Sequence, residues 1–171
     1  MSDIAGFAPV VAGNAKVLIL GTMPSVASLA RQQYYGHPKN AFWPIMGALF
    51  GAAPELGYQQ RKEILMANGI AVWDVLQGCN RLGSLDSNIK PESIKINDFA
   101  AFFAEHEFIA HVFFNGAMAE KLYKKHVLPT LNRRFDYLEY QRLPSTSPAH
   151  ASLRLEEKIE AWKVIKQHVV K

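Results

Sequence analysis

Four short stretches of the chain are almost continuously apolar: KVLIL (16–20), IAVWDV (70–75), AHVFFN (110–115) and, less purely, DYLEYQRL (136–143). Unbroken apolar runs of this length suit strands covered on both faces, as the strands of parallel sheets are. Between them the apolar positions recur at helical spacing. AFWPIMGALF (41–50) puts Phe42, Ile45, Met46 and Leu49 on one face, and YQQRKEILMANG (58–69) ends in Asn68-Gly69, a helix stop signal. NDFAAFFAEH (97–106) opens on Asn97 as the expected cap, with Phe99, Phe102 and Phe103 at helical spacing. AMAEKLYKKH (117–126) follows the third strand, and the tail LRLEEKIEAWKVIKQHV (153–169) aligns Leu155, Ile159, Trp162, Ile165 and Val169 as one amphipathic helix. Strands alternating with helices predict a three-layer α/β/α sandwich around a central four-stranded, mainly parallel sheet.

Composition narrows the class without naming a function. With 171 residues, 49% apolar and 20% charged, and no repeat or linker, one domain over residues 1–171 is expected. No run approaches the roughly 18 apolar residues of a membrane span. The start, MSDIAGFAPV, lacks the basic-then-apolar order of a secretory leader. The single cysteine, Cys79, excludes an internal disulfide and any multi-cysteine iron–sulfur or zinc site, and it fits a reducing, cytoplasmic setting. The six histidines show no ligand spacing such as HxxxH, so neither a metal nor a cofactor is expected. A net charge of +4 is a mild tilt toward polyanions. A monomer is expected.

In open α/β sheets ligands bind beyond the carboxyl ends of the strands, so the residues after each strand belong together. They are GTMPS (21–25), LQGCNRLGSLDSN (76–88), NGA (115–117) and PSTSPAH (144–150). GTMPS is small enough to bring backbone N–H groups against a ligand, yet it lacks the GK[ST] ending of a phosphate loop and the three glycines of a dinucleotide fingerprint. It is equally a plain strand-to-helix turn with Pro24 and Ser25 at the helix start. PSTSPAH brackets three hydroxyls with two prolines, a stiff loop able to grip a DNA phosphate or sit beside a base. Asn115 offers a donor and an acceptor together, as reading a base edge requires, or it merely opens an Asn-Gly turn.

The least ordinary passage is YYGHPKNAFWPIM (34–46), where aromatic rings are interleaved with Gly36, His37, Pro38, Lys39 and Asn40. GTMPS, YYGHPKNAFW, FFNG and LPSTSPAH, in that order, resemble the uracil-DNA glycosylase superfamily. The HPKNAFW stretch is similar to the mismatch-specific uracil/thymine DNA glycosylases. The pairing of GTMPS with YYGHPxNxFW resembles the hypoxanthine-DNA (deoxyinosine) glycosylase branch, and the likeness spans roughly residues 16 to 165. It implies the fold of that superfamily and, as partner, DNA containing a deaminated base, most simply hypoxanthine, with uracil and xanthine as rivals. It implies base flipping into a snug pocket. Tyr35 would stack on the base, while Phe42 and Trp43 pack the following helix.

The resemblance also marks a departure. Mismatch-specific relatives carry a water-positioning Asn where this chain has Met23, and uracil-specific relatives use an Asp of the same motif. A thioether cannot activate water. In the hypoxanthine branch the Asn of HPxN takes that role, which assigns catalysis to Asn40. The segment Gly21, Thr22, Met23, Pro24 and Ser25, through the backbone N–H groups of its non-proline residues, with Asn115 and His37, would bind the base and stabilise it as it leaves. Ser145, Thr146, Ser147, Pro148 and His150 would contact the DNA. A monofunctional hydrolase follows, with water as nucleophile. Within that reading Lys39 is a rival Schiff-base nucleophile and Asp74 a rival base, or a structural carboxylate. Arg81, Ser84 and Asn88 are candidate phosphate contacts, with Lys124-Lys125 and Arg133-Arg134 as a wider basic footprint. Two other readings stand beside it. One is a non-catalytic nucleic-acid or nucleoside-binding module on the same fold. The other is a serine hydrolase using Ser25 or Ser145 with His150, which the missing G-x-S-x-G elbow disfavours.

Overall fold

The computed structural model describes residues 3–169, so the two positions at each end of the expected 1–171 domain lie outside it. In chain order the elements are β1 (Ile4–Ala5), β2 (Val17–Gly21), α1 (Val26–Arg31), α2 (Phe42–Phe50), α3 (Tyr58–Ala67), β3 (Ile70–Asp74), β4 (Leu76–Cys79), β5 (Lys95–Ile96), α4 (Phe99–Glu105), β6 (His111–Asn115), α5 (Ala117–Leu122), β7 (Glu139–Leu143), α6 (Leu155–Trp162) and α7 (Ile165–Val169). The four apolar runs form one sheet in the order β3-β2-β6-β7, and every neighbouring pair is parallel. The three-layer arrangement around a parallel sheet is therefore what the alternation of strand and helix predicts.

Side chains along β2 show why both faces must be covered. Leu18 and Leu20 join one core with Phe99, Phe102, Phe103, Leu122 and Tyr123, beneath α4 and α5. Val17 and Ile19 join the other with Phe42, Ile45, Met46, Leu65, Trp162 and Ile165, beneath α2, α3, α6 and α7. All five residues of β2 are buried. A strand with no polar face can exist only between two layers of helices.

Several local expectations are corrected. Asn97 does not cap α4; Asp98 does, accepting the Ala101 N–H, while the Asn97 amide donates to the Asp74 carbonyl 2.8 Å away. The stretch 76–88 is not all loop: Leu76–Cys79 is the middle strand of a second, antiparallel sheet, β1-β4-β5. The expected continuous C-terminal helix is two, because the Lys166 and Gln167 N–H groups bond three residues back, to Lys163 and Val164, tightening the turn between α6 and α7. Leu155, expected on the apolar face, is 42% exposed at the start of α6.

Phe42 is the ring on which the second core turns. It is fully buried, stacks on Tyr35 at 4.0 Å and meets Trp43 and Trp162 edge-on at 5.0 and 6.1 Å. Truncating Phe42→Ala is expected to lower stability by about 3–5 kcal/mol, the range for large aromatic-to-alanine changes in cores, measurable by urea unfolding.

Candidate active site

Parallel strands put all their carboxyl ends on one edge, and the four post-strand segments converge there around a cavity of about 360 Å³. That size sits near the lower end of the roughly 300–1,000 Å³ of ligand pockets. Gly21, Thr22, Met23, Pro24 and Ser25 line it, as do Tyr34, Tyr35, Asn40, Asp74 and Asn115. Ser84, Leu85, Asp86 and Ser87 close one side, and Ser145, Thr146, Ser147 and His150 another.

The 34–46 stretch is held on both sides of the cavity. Tyr34 is buried, donates its hydroxyl to the Ala8 carbonyl at 2.8 Å and accepts the Trp43 indole N–H on its own carbonyl at 2.9 Å. Tyr35 follows in the left-handed backbone region, φ 54°, where a side-chain-bearing residue costs about 1–2 kcal/mol. That conformation turns its ring onto Phe42 and its hydroxyl to the cavity floor, where the oxygen is buried without a hydrogen-bond partner. Burial holds its proton on far above the ordinary phenol range. One face of the ring is thus taken by Phe42, and only the opposite face and the edge remain for a ligand. Asn40 is fixed by its own chain: its Oδ1 accepts the Phe42 N–H at 2.9 Å, an Asx-type turn into α2. Asn40 lines the same cavity.

The segment after β7 is clamped to β6. The Asn115 amide donates to Thr146 Oγ1 and accepts from the Thr146 N–H, each at 2.9 Å, and the Thr146 carbonyl accepts the Ala41 N–H at 2.9 Å. One amide therefore joins the β6 end, the 144–150 loop and the start of α2. The loop's far ends are tied to α6: Trp162 Nε1 donates to the Pro144 carbonyl at 2.9 Å, and Lys158 Nζ to the His150 carbonyl at 2.7 Å. Gly116, at φ 94°, lets the chain leave β6 where a Cβ would press to 3.1 Å from Ser145.

On the floor lies Asp74, the last residue of β3, 4% exposed. Its Oδ2 has no hydrogen-bond partner. A Cβ on Gly21 would come within 2.6 Å of its Oδ1 and within 2.9 Å of Tyr35 Oη, so glycine is what makes room for the pair. Burial, then the nearby Asp86 carboxylate, pushes the Asp74 carboxyl up to about 7, against a smaller opposing pull from Arg81. Arg81 is itself buried, donating Nη2 to the Pro24 carbonyl and Nε to the Gly83 carbonyl, both at 2.7 Å.

With this geometry in view, comparison with known proteins is decisive about kinship. The model of the Uracil DNA glycosylase superfamily matches residues 8–166. The chain belongs to the uracil-DNA glycosylase superfamily. It is 37% identical over 142 residues to the "Hypoxanthine DNA glycosylase" of Methanosarcina acetivorans, covering 76% of this chain and 89% of that one. The protein of the same name from Methanosarcina barkeri is 40% identical over 112 residues, 65% of this chain and 70% of the relative. The NMR structure of a candidate uracil DNA glycosylase from Methanosarcina acetivorans superposes with a TM-score of 0.79 at 33% identity, covering 98% and 99% of the two chains.

Against the superfamily's motif pattern, the residues singled out from the sequence divide. Gly21 to Ser25, Tyr35, Asn40, Asn115, Ser145, Thr146, Ser147 and His150 are together on the cavity wall. Some of these also hold the fold: the Asn115 amide and Thr146 bond each other, and Met23 is packed into the first core. His37 does not line the cavity; its Nδ1 accepts the Lys39 N–H at 3.0 Å and closes the His-Pro turn. Pro148 and Lys39 are exposed and also lie off the wall. Arg81 is a strut between loops, its position buried away from any phosphate, and Asn88 bonds the Leu82 carbonyl. Ser84 Oγ accepts the Val26 N–H, fastening the same loop to α1. Lys124 pairs with Glu120 at 3.3 Å. Cys79 is buried, and burial raises its thiol pKa, which suits packing better than nucleophilic attack. The two serines of the hydrolase reading serve local turns: Ser25 Oγ accepts the Ser28 N–H and Ser145 Oγ the Ser147 N–H, and neither bonds His150 among the described residues.

Asp74 was legible in the sequence as a strand-end carboxylate, a rival base or a structural group; its depth was not, because burial comes from residues distant in the chain. The raised pKa has a sign. Between the ordinary 3.8 and about 7 the folded state holds the proton that the unfolded chain has lost, so stability falls as pH climbs through that window. Asp74→Asn is expected to flatten this fall and to be more stable than the parent above pH about 7, by about 4 kcal/mol at most. Urea unfolding of both proteins at acidic and mildly alkaline pH measures it.

Proposed function

We propose that this DNA N-glycosylase removes a deaminated purine, hypoxanthine first, from DNA as free base, leaving an abasic site. The observation that carries the reading is Asn40 on the cavity wall, its carbonyl oxygen pinned by the Phe42 N–H, in a chain whose first motif offers only the buried thioether of Met23. The Asn40 Oδ1, which keeps a second lone pair after accepting the Phe42 N–H, can accept an O–H of a water and so aim that water's own lone pair at the sugar carbon. The two Methanosarcina relatives named for hypoxanthine support the choice of base. The flipped nucleotide would enter between Tyr35 and the 144–150 loop, whose Ser145, Ser147 and His150 line the cavity. With Lys39 off the wall, water is the nucleophile and the reaction is monofunctional.

Duplex oligonucleotides carrying one inosine, uracil or xanthine, incubated with the protein and then heated in alkali, are expected to break at inosine fastest. Salt-sensitive binding without a break at any of the three would favour the binding-module reading instead. Asn40→Ala is expected to keep its circular-dichroism spectrum and lose at least about 100-fold in base release, as for other positioned catalytic groups. Undiminished release would move water positioning to another residue.

A further inference from the structure

We propose that the carboxyl group of Asp74, in its neutral form, donates its proton to the departing base, a role that rests on the glycosylase reading above. Two buried polar atoms on this floor, Asp74 Oδ2 and Tyr35 Oη, lack a partner, and both residues line the cavity. Leaving a buried polar group unsatisfied costs about 1–3 kcal/mol, so such atoms are rare in folded proteins. A ligand with a polar edge would satisfy both at once. Gly21 keeps the space between them open, since a Cβ there would lie within 3 Å of each.

The chemistry of the leaving group selects the protonated carboxyl. As the C1′–N9 bond breaks, its electron pair passes to the purine ring, and negative charge grows there. A carboxylate facing that ring would oppose departure. A neutral carboxyl instead gives its proton to N7, so hypoxanthine leaves as a neutral tautomer. The water oxygen bonds to C1′, the proton it sheds passes to solvent, and solvent returns one to Asp74. Inosine and water become free base and abasic sugar with no other reagent.

The surroundings keep the proton in place. Asp86 presents a second carboxyl from the 3-10 turn Asp86–Asn88, and Arg81 the opposing cation. Tyr34 and Tyr35 face Asp74 as phenols that burial holds neutral, and His150 stands across the cavity. Burial outweighs the rest, leaving the carboxyl near 7. An acid whose pKa lies near the working pH is the efficient one.

The test is the pH dependence of kcat/KM on an inosine duplex, between about pH 5.5 and 9, for the full chain, Asp74→Asn and Asp86→Asn. The parent is expected to lose activity as pH rises through about 7. Asp74→Asn, isosteric and able to hydrogen-bond but not to give up a proton, is expected to be flat across the range. It should be slower by about 100-fold at the acidic end, the lower figure for general acids, and close to the parent at the alkaline end. Asp86→Asn removes a like charge and should move the parent's midpoint to lower pH. A parent profile that is flat or rises with pH overturns the proposal, as does a midpoint that survives unchanged in Asp74→Asn. Should that variant fail to fold, an unmoved midpoint in Asp86→Asn overturns it equally. A parent that releases no base at any pH refutes the glycosylase reading itself, a different result from a wrong slope.

Discussion

Alternate residues of β2 point into different cores, Leu18 and Leu20 to one and Val17 and Ile19 to the other, and this two-sided burial governs the rest of the molecule. A strand with no face for water must sit inside a sheet covered by helices above and below. Its neighbours β3 and β6 run parallel to it, reached by helical crossovers. Parallel strands then end on the same edge, and chain leaving that edge must turn sharply. The cavity is the space between those turns. Its walls are loops, but each loop begins at a strand whose position the sheet sets.

Rigidity at this edge comes from a few polar ties rather than from packing. The Asn115 amide and Thr146 join the β6 end to the loop after β7, and the Thr146 carbonyl carries the link on to Ala41. Arg81 and Ser84 fasten the loop after β4 to the Pro24 carbonyl and the Val26 N–H. Each tie contributes only about 1 kcal/mol net, yet together they hold four segments in register around one space. A site that must place a water and a base against one another needs that order more than it needs added stability.

The floor shows the opposite behaviour. Tyr35 takes a backbone conformation uncommon for an aromatic residue, its hydroxyl has no partner, and Asp74 holds a carboxyl in a place that favours neither charge nor solvation. None of these helps the fold. Strain and unsatisfied polar atoms persist where the surrounding structure enforces them, and they gather at sites that act on ligands. Here the Tyr35 hydroxyl and the Asp74 carboxyl share one wall of the cavity.

Local pattern alone determined the four strands, the helices between them and the order of the four post-strand loops; the candidacy of Asn40 and Tyr35 came from the resemblance of YYGHPKNAFW to a known family. Periodicity and motif spacing are written in neighbouring residues. What it could not determine was the environment of polar residues, because burial depends on elements distant in the chain. Arg81 looked like a phosphate contact until the Pro24 carbonyl claimed it. Asn115 reaches the cavity wall, yet its amide also clamps Thr146, a tie no motif announced, and Asn97 looked like a helix cap until it reached the carbonyl of Asp74. Asp74 is the clearest case: the sequence shows a carboxylate at a strand end, and only its burial among Gly21, Tyr34, Tyr35 and the 81–86 loop makes a carboxyl that keeps its proton near neutrality. The tertiary structure decided this because desolvation is a property of a place in the fold, and no window of sequence contains it.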